Sequence, residues 1–142
     1  MQENNQPTLY IVRGLPGSGK STFVESLFNA DLIVGYYEAD MWMYDYDEVG
    51  GGYVYNWHPS KLPNAHNECQ ESVENCLRQG FSVAVSNVSS TEKEVQVYTD
   101  MAQKYNARVV SLIIENRHGG KNSHGVADVH LDRIRQRFSF KL

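Results

Sequence analysis

A glycine-rich segment near the N-terminus has the residue types and spacing of a phosphate-binding loop. It runs Gly14-Leu-Pro-Gly-Ser-Gly-Lys20-Ser21 and fits the pattern GxxxxGK[ST] completely. Its glycines permit tight turns, so that backbone N–H groups can converge on phosphate oxygens at the start of a helix. We therefore expect ATP to bind here through Gly14, Pro16, Gly17, Ser18, Gly19, Lys20, Ser21 and Thr22.

Two side chains of this segment carry distinct chemistry. Lys20 would place a positive charge at the β- and γ-phosphates, which predicts a catalytic role for it. The hydroxyl of Ser21 could ligate Mg²⁺, which prefers oxygen ligands and keeps several waters. A glycine turn without a ligand is the alternative, but the preceding apolar segment and the following helix favour nucleotide binding.

Asp40 is the candidate general base. It lies just beyond the second apolar, β-rich segment, where open α/β sheets place ligand-binding groups. A carboxylate at that position could accept the proton of an attacking hydroxyl. The alternatives are a helix N-cap and a charge that keeps a loop soluble.

The end of the third predicted strand has no charged side chain. It runs Val85-Ser86-Asn87, where phosphate-binding-loop proteins usually carry a metal-organising aspartate. Any help to Mg²⁺ from this strand would be indirect. Asp40 or another carboxylate could organise Mg²⁺ instead.

A glycine-containing cationic segment follows the fourth predicted strand. Within about residues 115–125, Arg117, Lys121 and His124 could form a lid that closes over phosphates and excludes water. We take Lys121 and Arg117 as candidate catalytic cations. For any single cation, a solvated surface charge is the alternative.

Alternating strands and helices must position these residues. Apolar, β-rich segments predict strands over 8–12, 33–38, 81–86 and 108–114. Helical spacing predicts helices over 20–29, 64–79 and 91–105, with Thr91 as an N-cap, and a last helix through Ala127 and Phe138. This pattern indicates an α/β fold of the P-loop NTPase class, with a small parallel sheet covered by helices on both faces.

The segment 40–57 is aromatic, acidic and glycine-rich, and its apolar residues repeat with neither the spacing of a helix nor that of a strand. We expect a long loop with at most a helical turn. Aromatic rings there could stack on a base or sugar. We favour packing of most of them onto the domain.

Composition is that of one soluble domain. The chain has 142 residues, 41 % of them hydrophobic, and a mean hydropathy of −0.50. We expect a single domain over 1–142 with a flexible 1–7, no membrane association, and a cytoplasmic location. The two cysteines, Cys69 and Cys76, make no disulfide framework, and their helical spacing predicts core positions.

Charge is unevenly distributed along the chain. Residues 1–107 hold 6 Lys+Arg and 14 Asp+Glu, whereas residues 108–142 hold 7 and 3, so the net charges of −8 and +4 sum to −4. Such an acidic chain is a poor candidate for coating a long nucleic-acid duplex through its phosphates. Its basic C-terminal part could still contact a few phosphates.

The ordered set of motifs resembles a known family. The chain is similar, from about Leu9 to Phe138, to the P-loop kinase domains grouped with bacteriophage polynucleotide kinase and with the ATP-binding domain of the animal NEDD-binding proteins. The resemblance rests on GLPGSGKST, Ala39-Asp40, Tyr53-Val-Tyr55-Asn56, Ala65-His66, Ser86-Asn87-Val-Ser89 and Asn122-Ser-His124-Gly125-Val126. It implies ATP-dependent phosphorylation of a hydroxyl, with a polynucleotide 5′ end as the best-known acceptor. It also implies Asp40 as base, a lid cation at Lys121 or Arg117, and the strand order 2-3-1-4.

The sequence departs from that family at several places, one of which is a shortened segment before Asn122. Met41 stands where a second acidic residue is frequent, and Met43 stands where polynucleotide kinase has an arginine near the phosphate. The aspartate expected near Ser86 or Asn87 is missing. Three functions therefore stay open: a kinase for the 5′-hydroxyl of a polynucleotide or nucleotide, a small-metabolite kinase, and a non-catalytic, nucleotide-dependent binding module.

Overall fold

A parallel sheet of four strands forms the centre of the molecule in a computed structural model, which describes residues 6–89, 91–116 and 126–139. The described strands are β1 (Thr8–Arg13), β2 (Tyr36–Tyr37), β3 (Tyr44–Tyr46), β4 (Tyr53–Tyr55), β5 (Val83–Ser86) and β6 (Arg108–Ile113). The central sheet has the order β2-β5-β1-β6, and all three pairings are parallel. Because β5 and β6 are the third and fourth strands predicted from the sequence, the expected order 2-3-1-4 is confirmed.

The predicted helices are present with small shifts at their ends. The described helices are α1 (Lys20–Asn29), α2 (Leu62–Arg78), α3 (Glu92–Lys104) and α4 (Asp128–Arg137). Helix α2 begins earlier than predicted because Pro63 fits the first turn, where its missing N–H is not needed. Helix α3 follows Thr91, whose side chain accepts a hydrogen bond from the Glu94 N–H, as the N-cap prediction requires.

Helices cover both faces of the sheet, as predicted. Leu9 and Ile11 of β1 point toward α2 and α3 and pack in one buried cluster with Cys69, among other residues. Val12 points to the opposite face and packs against Val24 of α1. This alternation along β1 follows from the two-residue period of a strand. Cys76 also belongs to the first cluster, which confirms the prediction that both cysteines are core residues.

The segment 40–57 is more ordered than predicted. A short 3-10 helix (Ala39–Trp42) is followed by an antiparallel hairpin of β3 and β4. The prediction of a long loop was wrong here because tyrosine and valine favour strands, while Gly51 and Gly52 supply the positive φ angles of the turn. The preference for packing also fails for four of the six aromatic residues of this segment, since Tyr44, Tyr46, Tyr53 and Trp57 are exposed.

Strand β2 is shorter than predicted. Only Tyr36–Tyr37 forms regular pairs with β5. The Val34 N–H donates to the carbonyl of Ser82, and Gly35 accepts from Ala84, so hydrogen bonding continues beyond the regular pairs. Within the described ranges, no helix is both long and apolar enough to cross a membrane.

Candidate active site

The glycine-rich segment forms a tight loop between β1 and α1. A Cβ atom on Gly14 would lie 2.5 Å from Ser18 Oγ and 2.7 Å from the carbonyl oxygen of Ile114, so only glycine fits there. Gly17 and Gly19 have φ angles of 79° and 102°, a backbone conformation that residues with a Cβ atom rarely adopt. The loop therefore has the shape that its motif predicts, directly before the N-terminus of α1.

Lys20 lies across this loop. Its Nζ donates hydrogen bonds to the carbonyl oxygens of Gly14 at 2.9 Å and Leu15 at 3.0 Å. Burial lowers the pKa of Lys20 to about 8, and the nearby negative charges of Glu38 and Asp40 oppose this shift. The predicted phosphate-binding cation thus lies within electrostatic reach of two carboxylates.

Glu38 is a site residue that sequence reasoning did not single out. Ser21 Oγ donates a hydrogen bond of 2.8 Å to Glu38 Oε1. Glu38 follows β2, and Ser21 lies in the first turn of α1, so the contact joins two elements that meet at the carboxyl ends of the parallel strands. The available signal was the pair of acids Glu38-Ala-Asp40 at the end of the second predicted strand.

Asp40 lies on the same segment, in the 3-10 helix. The hydroxyl of Tyr55 on β4 donates to Asp40 Oδ1 at 3.5 Å. Burial raises the pKa of Tyr55, and the negative charge of Asp40 adds to that shift. The candidate base is therefore in contact with the hairpin and also lies within electrostatic reach of Lys20.

Asn87 connects the end of β5 to this acidic segment. Its Oδ1 accepts a hydrogen bond of 2.9 Å from the backbone N–H of Ala39, and its Nδ2 donates to Cys69 Sγ at 3.7 Å. Ser86 shares the α1 face of the sheet with Ala84, and its Oγ is buried without a hydrogen-bond partner among the described residues. The uncharged end of β5 thus positions the backbone of the acidic segment through Asn87.

The oxygen atoms gathered here fit Mg²⁺. Mg²⁺ binds proteins through few oxygen ligands and retains water and phosphate oxygens for the rest of its coordination. Ser21 Oγ and the Glu38 carboxylate that accepts its hydrogen bond are hard oxygen donors of that kind. Among the described residues, no three His, Cys, Asp or Glu side chains cluster as an all-protein metal site.

Met43 is a core residue and not part of the candidate site. Met43, which stands at the position of the arginine in polynucleotide kinase, is fully buried with Ala39 and Ala65, so no cation occupies that place. Arg117 and Lys121, the predicted lid cations, lie outside the described residues.

Solved structures share this fold. A structure of the Pnkp1/Rnl/Hen1 complex matches with a TM-score of 0.62 at 18 % identity, and the match covers 99 % of this chain but 42 % of that one. The Mycobacterium tuberculosis APS kinase CysC Cys556Ala mutant matches with a TM-score of 0.54 at 12 % identity, over 93 % of this chain and 96 % of that one. Chaetomium thermophilum Kti12 in complex with ADP-AlF3 matches with a TM-score of 0.61 at 12 % identity, and the match covers 92 % of this chain and 80 % of that one.

These matches show a P-loop kinase-like fold. The resemblance to the animal NEDD-binding proteins stays a prediction. Residues 9–119 match the AAA_33 family, which is described as an AAA domain. The match covers well over half of the sequence and includes the phosphate-binding loop, Glu38, Asp40 and Asn87, so the chain belongs to this AAA domain family.

Proposed function

We propose that this protein is an ATP-dependent kinase that transfers the γ-phosphate to a hydroxyl group, with the 5′-hydroxyl of a polynucleotide or nucleotide as acceptor. One observation carries the proposal. The segment Glu38–Asp40 brings one carboxylate to Ser21 of the phosphate-binding loop and holds a second one, that of Asp40, against the Tyr55 hydroxyl of the hairpin. A site that only bound nucleotide would need the first contact but not the second.

The phosphates would bind to the backbone N–H groups of the loop and to Lys20. When Mg²⁺ is bound, Ser21 would ligate it, Glu38 would hold one of its waters, and the ion would offset phosphate charge. Cations of the lid, Lys121 and Arg117, would then approach the phosphates and help to exclude water.

Asp40 would act on the acceptor. Its carboxylate accepts the proton of the attacking hydroxyl while the new oxygen–phosphorus bond forms in line with the bond that breaks. ADP leaves with the electron pair of the broken bond, and the acceptor retains the phosphoryl group. Asp40 is the group that separates a kinase from a nucleotide-binding module.

A small-metabolite kinase is the second candidate. The hairpin beside Asp40 carries Asp45, Asp47 and Glu48 and no lysine or arginine between residues 44 and 55. Such an acidic neighbourhood favours a compact acceptor with few phosphates over a long polyanion.

Phosphate transfer from γ-labelled ATP with Mg²⁺ tests the proposal directly. The acceptors would be DNA and RNA oligonucleotides with 5′-hydroxyl ends, compared with a panel of small alcohols. We expect Asp40→Asn to reduce transfer by about 10²- to 10⁴-fold without weakening ATP binding. Asp132→Asn, an exposed residue of α4, is the matched control and should leave transfer unchanged.

Each outcome points to a different function. Full transfer by Asp40→Asn would remove Asp40 as base. Transfer only to a small alcohol would favour the second candidate. ATP binding that depends on Lys20, with no transfer to any acceptor, would make the protein a nucleotide-dependent binding module.

A further inference from the structure

Four tyrosines lie on one face of the β3–β4 hairpin, which we call the tyrosine face: Tyr44, Tyr46, Tyr53 and Tyr55. The register pairs Tyr44 with Tyr55 and Tyr46 with Tyr53. Alternate residues of a strand share a face, so both pairs project from the same side of the hairpin. Each pair is edge to face, with ring centroids 5.5 Å apart.

The outer pair of the tyrosine face is open to solvent. Tyr46 is 59 % exposed and Tyr53 is 75 % exposed. The rings of this pair contact each other rather than the domain core. Exposed aromatic rings held in a fixed arrangement are a feature of binding surfaces.

The inner pair, Tyr44 and Tyr55, lies next to the candidate base Asp40. Tyr55 packs against the buried cluster of Ala39, Met43 and Ala65, and its hydroxyl donates a hydrogen bond to Asp40. The tyrosine face therefore begins at Asp40 and extends outward to the solvent. A molecule whose hydroxyl approaches Asp40 has this face as a neighbouring surface.

The opposite face of the hairpin contacts Lys61, in the segment just before α2. Asp45 pairs with Lys61 at 2.9 Å and accepts a hydrogen bond of 2.7 Å from Asn56 Nδ2. The backbone N–H of Asn56 also donates to the carbonyl of Met43. These contacts lie near the base of the hairpin, whereas Tyr46 and Tyr53, the outer pair of the tyrosine face, are exposed to solvent.

Charge decides which part of a ligand this face would contact. The hairpin has acidic side chains and no basic ones, so it offers no counter-charge for phosphates. Its tyrosine rings offer flat apolar surfaces, on which bases stack regardless of their identity. The surface therefore suits bases and is unsuited to a phosphate backbone.

We propose that the tyrosine face binds the bases of the first nucleotides at a single-stranded 5′ end and presents the terminal hydroxyl to Asp40. This inference rests on the proposed kinase function and names the part of the acceptor that is recognised. Paired residues two positions apart along a strand are about 7 Å apart, roughly twice the spacing of stacked bases, which leaves room for one base at each pair.

A matched set of variants isolates ring stacking. Tyr46→Leu with Tyr53→Leu removes the exposed rings, and Tyr46→Phe with Tyr53→Phe retains the rings without their hydroxyls. Val54→Ala, on the opposite face of β4, is the control. The acceptors would be a 5′-hydroxyl adenine hexanucleotide and the same strand with its first two bases removed.

We expect the leucine variant to raise the KM for the intact hexanucleotide about tenfold or more while the KM for ATP stays unchanged. The phenylalanine variant and Val54→Ala should behave like the unmodified protein. The base-free acceptor should bind weakly to every version, and the KM for the intact strand should depend little on salt. Melting temperatures would confirm that the variants fold.

Failure of this inference can be distinguished from failure of the proposed function. Equal KM values for the intact and base-free strands, with transfer retained, would overturn the inference and leave the kinase function standing. If no oligonucleotide is phosphorylated, the inference is tested by binding alone. Fluorescence anisotropy would then measure the affinity of the protein for the labelled hexanucleotide in the presence of a non-hydrolysable ATP analogue. Binding lost in the leucine variant would support the tyrosine face, and the absence of binding by the unmodified protein would overturn it.

Discussion

The side chain of Asn87 holds the backbone of Ala39 in place through a 2.9 Å hydrogen bond between Asn87 Oδ1 and the Ala39 N–H. Ala39 separates the two carboxylates of the site, Glu38 and Asp40. The amide of Asn87 is itself oriented by its contact with Cys69, a fully buried residue of α2. The position of both acids therefore depends on an uncharged residue at the end of β5.

Removal of this hydrogen bond should reduce catalysis more than binding. In Asn87→Ala, the freed Ala39 N–H loses its partner and the acidic segment can shift, so we expect kcat to fall about tenfold or more. The dissociation constant of ATP should change little, because the glycine-rich loop is untouched. Asn75→Ala, an exposed residue of α2, is the control. A proportional loss of ATP affinity would contradict a positioning role.

Lys20 should make both stability and ATP binding depend on pH. Its pKa is lowered from 10.5 to about 8 by burial, so between these values the unfolded chain binds more protons than the folded one. Stability of the nucleotide-free protein should therefore rise as pH increases from about 8 to about 10.5. Lys20→Met should abolish this rise and increase the melting temperature below pH 8, while Lys93→Met should do neither.

Binding of ATP should take up a proton at Lys20. Phosphate charge stabilises the ammonium form, so affinity should decline as pH rises above about 8. Calorimetry at pH 9 in two buffers with different ionisation enthalpies would measure the proton uptake. Identical binding enthalpies in both buffers would contradict this assignment.

Glu38 should control the effect of Mg²⁺ on ATP affinity. In Glu38→Gln, Ser21 retains a hydrogen-bond partner, but the carboxylate that would hold a metal-bound water is lost. We expect the gain in ATP affinity on adding Mg²⁺ to shrink by about 10- to 100-fold. Affinity measured with EDTA should be unchanged or slightly higher, because one negative charge near the phosphates is removed.

Calorimetric titration of ATP with MgCl₂ and with EDTA would separate these effects. Glu25→Gln, an exposed position of α1, is the control. An unchanged Mg²⁺ effect in Glu38→Gln would mean that another group organises the metal.

Arg13 should be a large contributor to stability. Its side chain is almost fully buried, where Nε donates to the carbonyl of Ser89 at 2.9 Å and Nη2 to that of Ser139 at 2.7 Å. The guanidinium also lies 5.0 Å from the centroid of the Phe138 ring. Arg13 thereby joins β1 to the loop after β5 and to the end of α4.

Replacement of Arg13 should remove the hydrogen bonds that its guanidinium donates to the carbonyl groups of Ser89 and Ser139. We expect Arg13→Met to lower the free energy of unfolding by about 2–4 kcal/mol, measured by urea denaturation. Arg108→Met, at an exposed position of β6, should change it by less than about 0.5 kcal/mol. Equal midpoints for the two variants would contradict the structural role of Arg13.

Local sequence patterns were enough to predict the phosphate-binding loop, the succession of the main strands and helices along the chain, and Asp40 as a candidate base. These features depend on neighbouring residues: glycines where a turn needs positive φ, a helix that begins at Lys20, and apolar periods that separate strand from helix. The loop could be predicted because its residue types and its backbone shape are encoded within one short segment.

Only the tertiary structure decided what surrounds those residues. Glu38 reaches Ser21 because the parallel sheet brings the end of β2 next to the start of α1, and Asn87 reaches Ala39 because β5 pairs with β2. The tyrosine face arises from a register that puts four rings on one side of a hairpin. Such contacts depend on strand pairing and side-chain packing between distant segments, and no local pattern in the sequence specifies them.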